Sequence, residues 1–317
     1  MRILGFIMVL LALFAAGCGG DREGSSDDTG TAATSDLSGR IQADGSSTVG
    51  PYTTAAAERF RTENPDVQTT VGVSGTGGGF ERFCAGETDL SNASRPIKDE
   101  EKQLCDDKGI EFVEFQVAND ALTVVVNPDN DWVDCLTVDQ LKTIWDQGSK
   151  VKSWQDVDPS FPDESMKLYG AGTDSGTFDY FTDAINGEEG RSRSDYSATE
   201  DDNVTVQGVS GDQGALGYFG LSYYEQNKDR LKALEIDDGD GCVAPNVENA
   251  QNGTYKPLSR PLFIYAKKES FARPEVHAFI QFILDNEQEI AEASQFVPLT
   301  DEQLTKAKAD LEAATAG

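Results

Sequence analysis

The sequence predicts an α/β protein of two mixed-sheet lobes joined by two hinge crossings. Three observations predict it. The chain has 317 residues, 38% of them hydrophobic, which is room for about two domains of ~100–200 residues, each with a core of its own. From Ile41 onward, short apolar runs of strand length alternate with amphipathic stretches, the pattern of α/β units. Segments 118–123 and 254–260 read as passages between the two halves, which puts 40–120 and 258–317 in lobe 1 and the inserted 121–257 in lobe 2. A cleft between two such lobes is a natural ligand site.

The elements follow in order. After Gly45-Ser46-Ser47-Thr48, the Ala-rich stretch 51–63 reads as a helix closed by Asn64-Pro65, and 67–73 as a strand. Residues 74–80 form a Gly-rich loop that opens a helix through Phe83. Residues 111–117 and 122–126 are strand-like, the second a buried run of β-branched residues. Helices are expected over 136–145, with Leu136, Leu141, Ile144 and Trp145 on the apolar face, and over 177–185, carrying Phe178, Phe181 and Ile185. A returning strand spans 261–266, and a long helix 274–293 sets Val276, Phe279, Ile280, Ile283 and Ile290 at helical spacing.

Met1-Arg2 and the apolar run to Ala16 have the charge and length of a secretory signal and are too short for a permanent membrane span. The run ends in Ala15-Ala16-Gly17-Cys18, which resembles a bacterial lipoprotein signal with Ala15 where Leu is usual. Residues 1–17 are thus expected to be a signal peptide, Cys18 the lipidated first residue that anchors the chain to the outer face of a membrane, and 18–39 a flexible linker with almost nothing to bury. Four cysteines remain, and none lies in a CxxC pair that would suggest zinc or a redox motif. Of their three possible pairings, Cys84–Cys105 and Cys135–Cys242 keep each bridge inside one lobe.

The charge excludes several functions. With 56 Asp plus Glu against 26 Lys plus Arg, a net charge of -30 leaves no basic face for nucleic acid. The single histidine, His277, sits among apolar positions of the long helix and reads as structural, which disfavours His-based metal sites and catalysis. The acidic run 235–241 lacks EF-hand spacing and reads as a solvated turn. Neither a cofactor nor a metal is expected. An acidic chain can still hold a small anion where local dipoles outweigh the overall field.

Three polar loops offer such dipoles. They are Asp44-Gly45-Ser46-Ser47-Thr48-Val49, Ser74-Gly75-Thr76-Gly77-Gly78-Gly79 and Gly172-Thr173-Asp174-Ser175-Gly176-Thr177, each directly before a predicted helix. A helix start exposes free N–H groups and the positive end of the helix dipole, and Ser and Thr add neutral donors. Each loop taken singly is an ordinary cap or turn. Three converging ones would wrap a tetrahedral oxyanion with about ten donors. No Gly-Lys-Ser/Thr follows the glycines, so the second loop is not a nucleotide P-loop. A fourth segment, 88–97, adds Ser94 and Arg95, the latter suited to bidentate oxyanion pairing.

The motifs GSST, SGTGGGF, DLSNASRPI, TDSGTFDYF and GALGYFG, in this order and spacing, resemble the substrate-binding protein of the bacterial high-affinity phosphate ABC transporter over residues 41–299. The resemblance implies a type II periplasmic-binding-protein fold that closes over a dehydrated phosphate and delivers it to membrane permease subunits. It implies no enzymatic activity, and a monomer is expected. It carries the ligand set onto Ser47, Thr48 and the N–H of Val49, onto Gly75 and Thr76, and onto Ser175, Gly176 and Thr177. Ala171 stands where many members have an arginine, so Arg95 is expected to supply the guanidinium. Ser94 stands where many have an aspartate. A buried carboxylate accepts the O–H that phosphate keeps and sulfate lacks, and the candidates here are Asp174, Asp120 and, more weakly, Asp44. Receptors for sulfate or molybdate, an exported phosphatase and an adhesive lipoprotein are the alternatives.

Overall fold

The computed structural model describes residues 37–173 and 175–315. The signal peptide, Cys18, most of the linker and Asp174 lie outside the described residues. Twelve strands are described: β1 (Ser38–Gly45), β2 (Asp66–Val71), β3 (Leu90–Ala93), β4 (Phe112–Val126), β5 (Cys135–Thr137), β6 (Lys167–Ala171), β7 (Ser197–Thr199), β8 (Ala215–Gly220), β9 (Lys232–Ala233), β10 (Glu235–Asp237), β11 (Cys242–Val243) and β12 (Ser259–Lys267). One mixed sheet runs β2-β1-β3-β12-β4-β8-β6-β7, with β9 also on β4, and β11-β10-β5 form a small second sheet. Parallel β1 pairs with β2 and β3, whereas β12 runs antiparallel to both β3 and β4.

Two cores form on either side of the point where β4 changes partners. In the first, Ile41, Phe115 and Ile264 meet Phe279 and Ile283 of the helix Pro274–Asp285. Helix α1 (Val49–Glu63) adds Tyr52, Ala56 and Phe60, whose four-residue spacing is one helical face. Phe60 sets its ring edge-on to Phe279 and Phe282, each at 5.3 Å, and burying one such side chain contributes about 1.5–3 kcal/mol. In the second core, Phe181 stacks on Tyr218 at 3.8 Å with Trp145 edge-on to both. Around Cys84–Cys105, Phe80, Phe83 and Tyr265 make a smaller cluster. The bridges are Cys84–Cys105 and Cys135–Cys242, the pairing that the lobe assignment favours.

Several elements differ from expectation. The segments 111–117 and 122–126 are one strand, β4, because residues 118–121 go on pairing with β12, opposite Leu262 to Ser259. The segment expected as the first crossing is thus an extended strand. The glycines of the second loop lie inside helix α2 (Gly75–Cys84), since a Cβ on Gly79 would sit 2.5 Å from Gly45 Cα. Gly there lets the helix rest on the end of β1. Helix α1 begins two residues before Pro51, which falls in its first turn where a missing N–H costs nothing. The helix expected over 136–145, α4 (Val138–Trp145), begins only after the short strand β5, and the one over 274–293 breaks at Asn286. The helix Asp301–Thr315 had no sequence counterpart. His277 is half-buried in the helix Pro274–Asp285, and the acidic turn is held by Asp237, whose carboxylate accepts the N–H groups of Gly239 and Gly241.

Candidate functional site

The first loop is shaped by Gly45, which admits no side chain because its φ is +140° and an added Cβ would lie 2.1 Å from Asn92 O. The chain then turns through Ser46, whose Oγ accepts the Thr48 N–H at 3.2 Å. Thr48 is the N-cap of α1, yet its hydroxyl makes no cap bond. It accepts instead from Arg260 Nη2 at 2.9 Å. Val49 is buried, and its N–H is one of the helix-start donors without an intrahelical acceptor.

The second loop brings Thr76 Oγ1 within 3.2 Å of Ser94 Oγ, and the Ser94 N–H donates to the same Thr76 oxygen at 3.3 Å. Arg95 donates through both terminal nitrogens to Glu101, at 2.8 and 2.7 Å, and lies over Phe80. Burial pushes the Glu101 carboxyl up, but the bonds from Arg95 and the Lys98 N–H at the start of helix α3 (Asp99–Asp107) outweigh it and hold it below the usual range. Asp44 accepts from the Gly45 N–H, Ser74 and Arg82, so its carboxylate serves to fix the loop.

In the third loop Ser175 caps its helix by accepting the Thr177 N–H at 3.1 Å. This loop meets the first directly, because a Cβ on Gly176 would lie 3.0 Å from Thr48 Oγ1 and 3.2 Å from Thr48 Cα. Ser47 and Thr48 line both a cleft of about 580 Å³, shared with Gly75, Thr76, Ser94 and Arg95, and an adjoining depression of about 150 Å³, shared with Asp120 and the Ser175–Thr177 loop. The anticipated loops therefore converge about Thr48.

Sequence reasoning missed Arg260. It stands on β12 directly opposite Asp120 of β4, and its Nε and Nη2 both lie 3.2 Å from Asp120 Oδ2. Its guanidinium carbon sits 3.6 Å from the centre of the Tyr180 ring. Burial pushes the Asp120 carboxyl above its ordinary value, with Arg260 pulling the other way. The signal was available, since Arg260 closes the second predicted crossing and Asp120 lies in the first, but register across a crossing is not visible in sequence. Also unforeseen were carboxylates along the same cleft, Asp179, Asp183 and Glu189. The Ser47 hydroxyl donates to Asp179 at 3.3 Å. Among the described residues no group of His, Cys, Asp and Glu is arranged to hold a metal.

A family model described as a PBP superfamily domain matches residues 30–287. The chain belongs to the PBP superfamily. As a PBP it has the two-lobed type II fold, and it resembles proteins of similar length throughout. It is 49% identical to Protein SphX of Synechococcus elongatus over 270 residues, 84% of this chain and 80% of that one. It is 41% identical to the phosphate-binding protein PstS of Staphylococcus saprophyticus over 313 residues, 98% of this chain and 94% of that one. Among solved structures, a possible phosphate-binding protein from Planctomyces limnophilus superposes with a TM-score of 0.86 at 48% identity, covering 88% of this PBP and 99% of its own chain.

Proposed function

We propose that the chain is an extracytoplasmic receptor that captures inorganic phosphate between lobes 40–120 plus 258–317 and 121–257 and delivers it to the transmembrane subunits of an ABC importer. The observation that carries this reading is the meeting of three helix-start loops with a cation and a buried carboxylate at one point, Thr48. Thr48, Thr76 and Ser94 supply neutral donors from lobe 1, and Ser175, Gly176 and Thr177 supply them from lobe 2, with the Val49 N–H at the start of α1 as a further donor. Arg260 supplies the guanidinium for which Ala171 has no side chain, with Arg95 as a second cation at the wall. Asp120, 6% exposed, is the acceptor for the proton that phosphate retains, which turns sulfate away. Lipidation of Cys18 would tether the receptor to the membrane face. The relatives' names support phosphate as the ligand.

Calorimetric titration of the purified protein with phosphate, sulfate and molybdate tests the assignment. Phosphate should bind at least about a hundredfold more tightly than sulfate, a difference of roughly 2.7 kcal/mol. Tighter sulfate binding would overturn it.

A further inference from the structure

The Tyr180 ring is placed where it can do more than fill a core. It lies on the short helix α5 (Gly176–Phe181), one turn after Gly176 and Thr177. The ring is 5% exposed, packs in the lobe 2 core, and supports the Arg260 guanidinium at 3.6 Å. Its hydroxyl donates to Pro257 O at 2.8 Å, in the second crossing, and burial pushes the phenol far up, so it stays a donor. The other contacts of Arg260 come from different elements, Asp120 on β4 and Thr48 at the start of α1. One short helix thus carries both the third anion loop and the platform beneath the cation.

A guanidinium bound only to Asp120 could rotate about that bond and leave Thr48. A ring face removes this freedom, because the planar cation is attracted to it in one stacked orientation. We propose that Tyr180 is a positioning residue that holds Arg260 toward Thr48 and, being fixed to the third loop, ties the aim of the cation to the approach of that loop. This inference rests on the phosphate reading of the site. When α5 moves away from the first loop, the ring moves with it and Arg260 loses its platform. The cation is then fully aimed only when the anion-binding loops are together. Tyr180 therefore acts on release of the anion and leaves the encounter unchanged.

The test is a double-mutant cycle on phosphate binding by the full chain, read by calorimetry and stopped-flow. Tyr180→Met keeps an apolar side chain but has no ring face, and should raise Kd by about 3- to 30-fold, the range of a partly desolvated cation–π contact. The change should appear in the dissociation rate. Tyr180→Phe keeps the ring and should stay within about threefold of wild type, since only the hydrogen bond to Pro257 is lost. In an Arg260→Gln background, Tyr180→Met should cost less than about twofold further, because its target is gone. If Tyr180→Met does not fold, pentafluorophenylalanine at 180 keeps the shape, reverses the ring quadrupole and should weaken binding in the same way. Penalties that multiply in the double variant, or equal losses in Tyr180→Phe and Tyr180→Met, would overturn the positioning role and leave the phosphate reading standing. A wild-type protein that binds no phosphate would overturn both.

Discussion

Arg260 and Asp120 stand opposite each other in the β4–β12 ladder, so the two segments expected as passages between lobes are bridged by an ion pair. Their side chains are 18% and 8% exposed. Breaking a buried pair by removing one partner leaves an uncompensated charge, which typically costs about 3–5 kcal/mol. Arg260→Met should therefore lower the thermal midpoint by about 6–20 °C, at ~2–4 °C per kcal/mol for a domain of this size. Asp120→Asn combined with Arg260→Met should recover much of the loss, since no charge is then buried. Differential scanning calorimetry of the two variants beside wild type checks it, and a double variant no more stable than Arg260→Met would count against the pairing.

Gly176 bears on how closely the loops approach. An alanine there would press its Cβ against Thr48 at 3.0 and 3.2 Å, and the backbone atom cannot swing aside. Overpacking of this kind costs about 1–3 kcal/mol, so Gly176→Ala should weaken phosphate binding by about 5- to 150-fold. Unfolding of the unliganded protein should change far less. Measured affinity within twofold of wild type would mean that the loops need not meet for capture.

Glu287 gives stability a pH dependence. It is 2% exposed and accepts the Leu299 N–H at 2.8 Å. Burial, against the pull of that bond, pushes its carboxyl up to about 7. A raised carboxyl is protonated in the fold and ionised in the unfolded chain between the ordinary value of ~4.3 and about 7. Its contribution is thus full below the lower limit, is lost as pH rises across this window, and changes no further above it. Glu287→Gln should flatten that part of the midpoint-versus-pH curve. An unchanged curve would assign the dependence to other groups.

The net charge of -30 predicts a kinetic effect. The field of the whole chain repels an approaching anion, and inert salt screens it over ~8–10 Å. The association rate should rise with salt in stopped-flow traces. A fall would mean that Arg95, Lys98 and Arg260 along the cleft dominate the approach path.

Much of this arrangement was legible in the sequence because it is local. Helix starts after Gly- and Ser-rich loops are written in neighbouring residues, and the loops at Ser47, Thr76 and Ser175 follow from such runs. What was hidden is long-range. Arg260 and Asp120 are 140 residues apart, and only the register of β12 on β4 joins them. Arg95 had the right chemistry, but Glu101, six residues on, already occupies both ends of its guanidinium. The places of Asp179 and Glu189 along the cleft depend likewise on the fold and not on their sequence neighbours.

The unbroken course of β4 has a mechanical consequence. A strand of 15 residues enters from the first core and leaves in the second, paired with β12 and then with β8, and at Leu122 its N–H donates to Leu258 O of the returning chain at 2.9 Å. Bending of such a paired joint is shared among many hydrogen bonds and resisted by all of them. Such a joint favours a small, elastic gape over a wide swing.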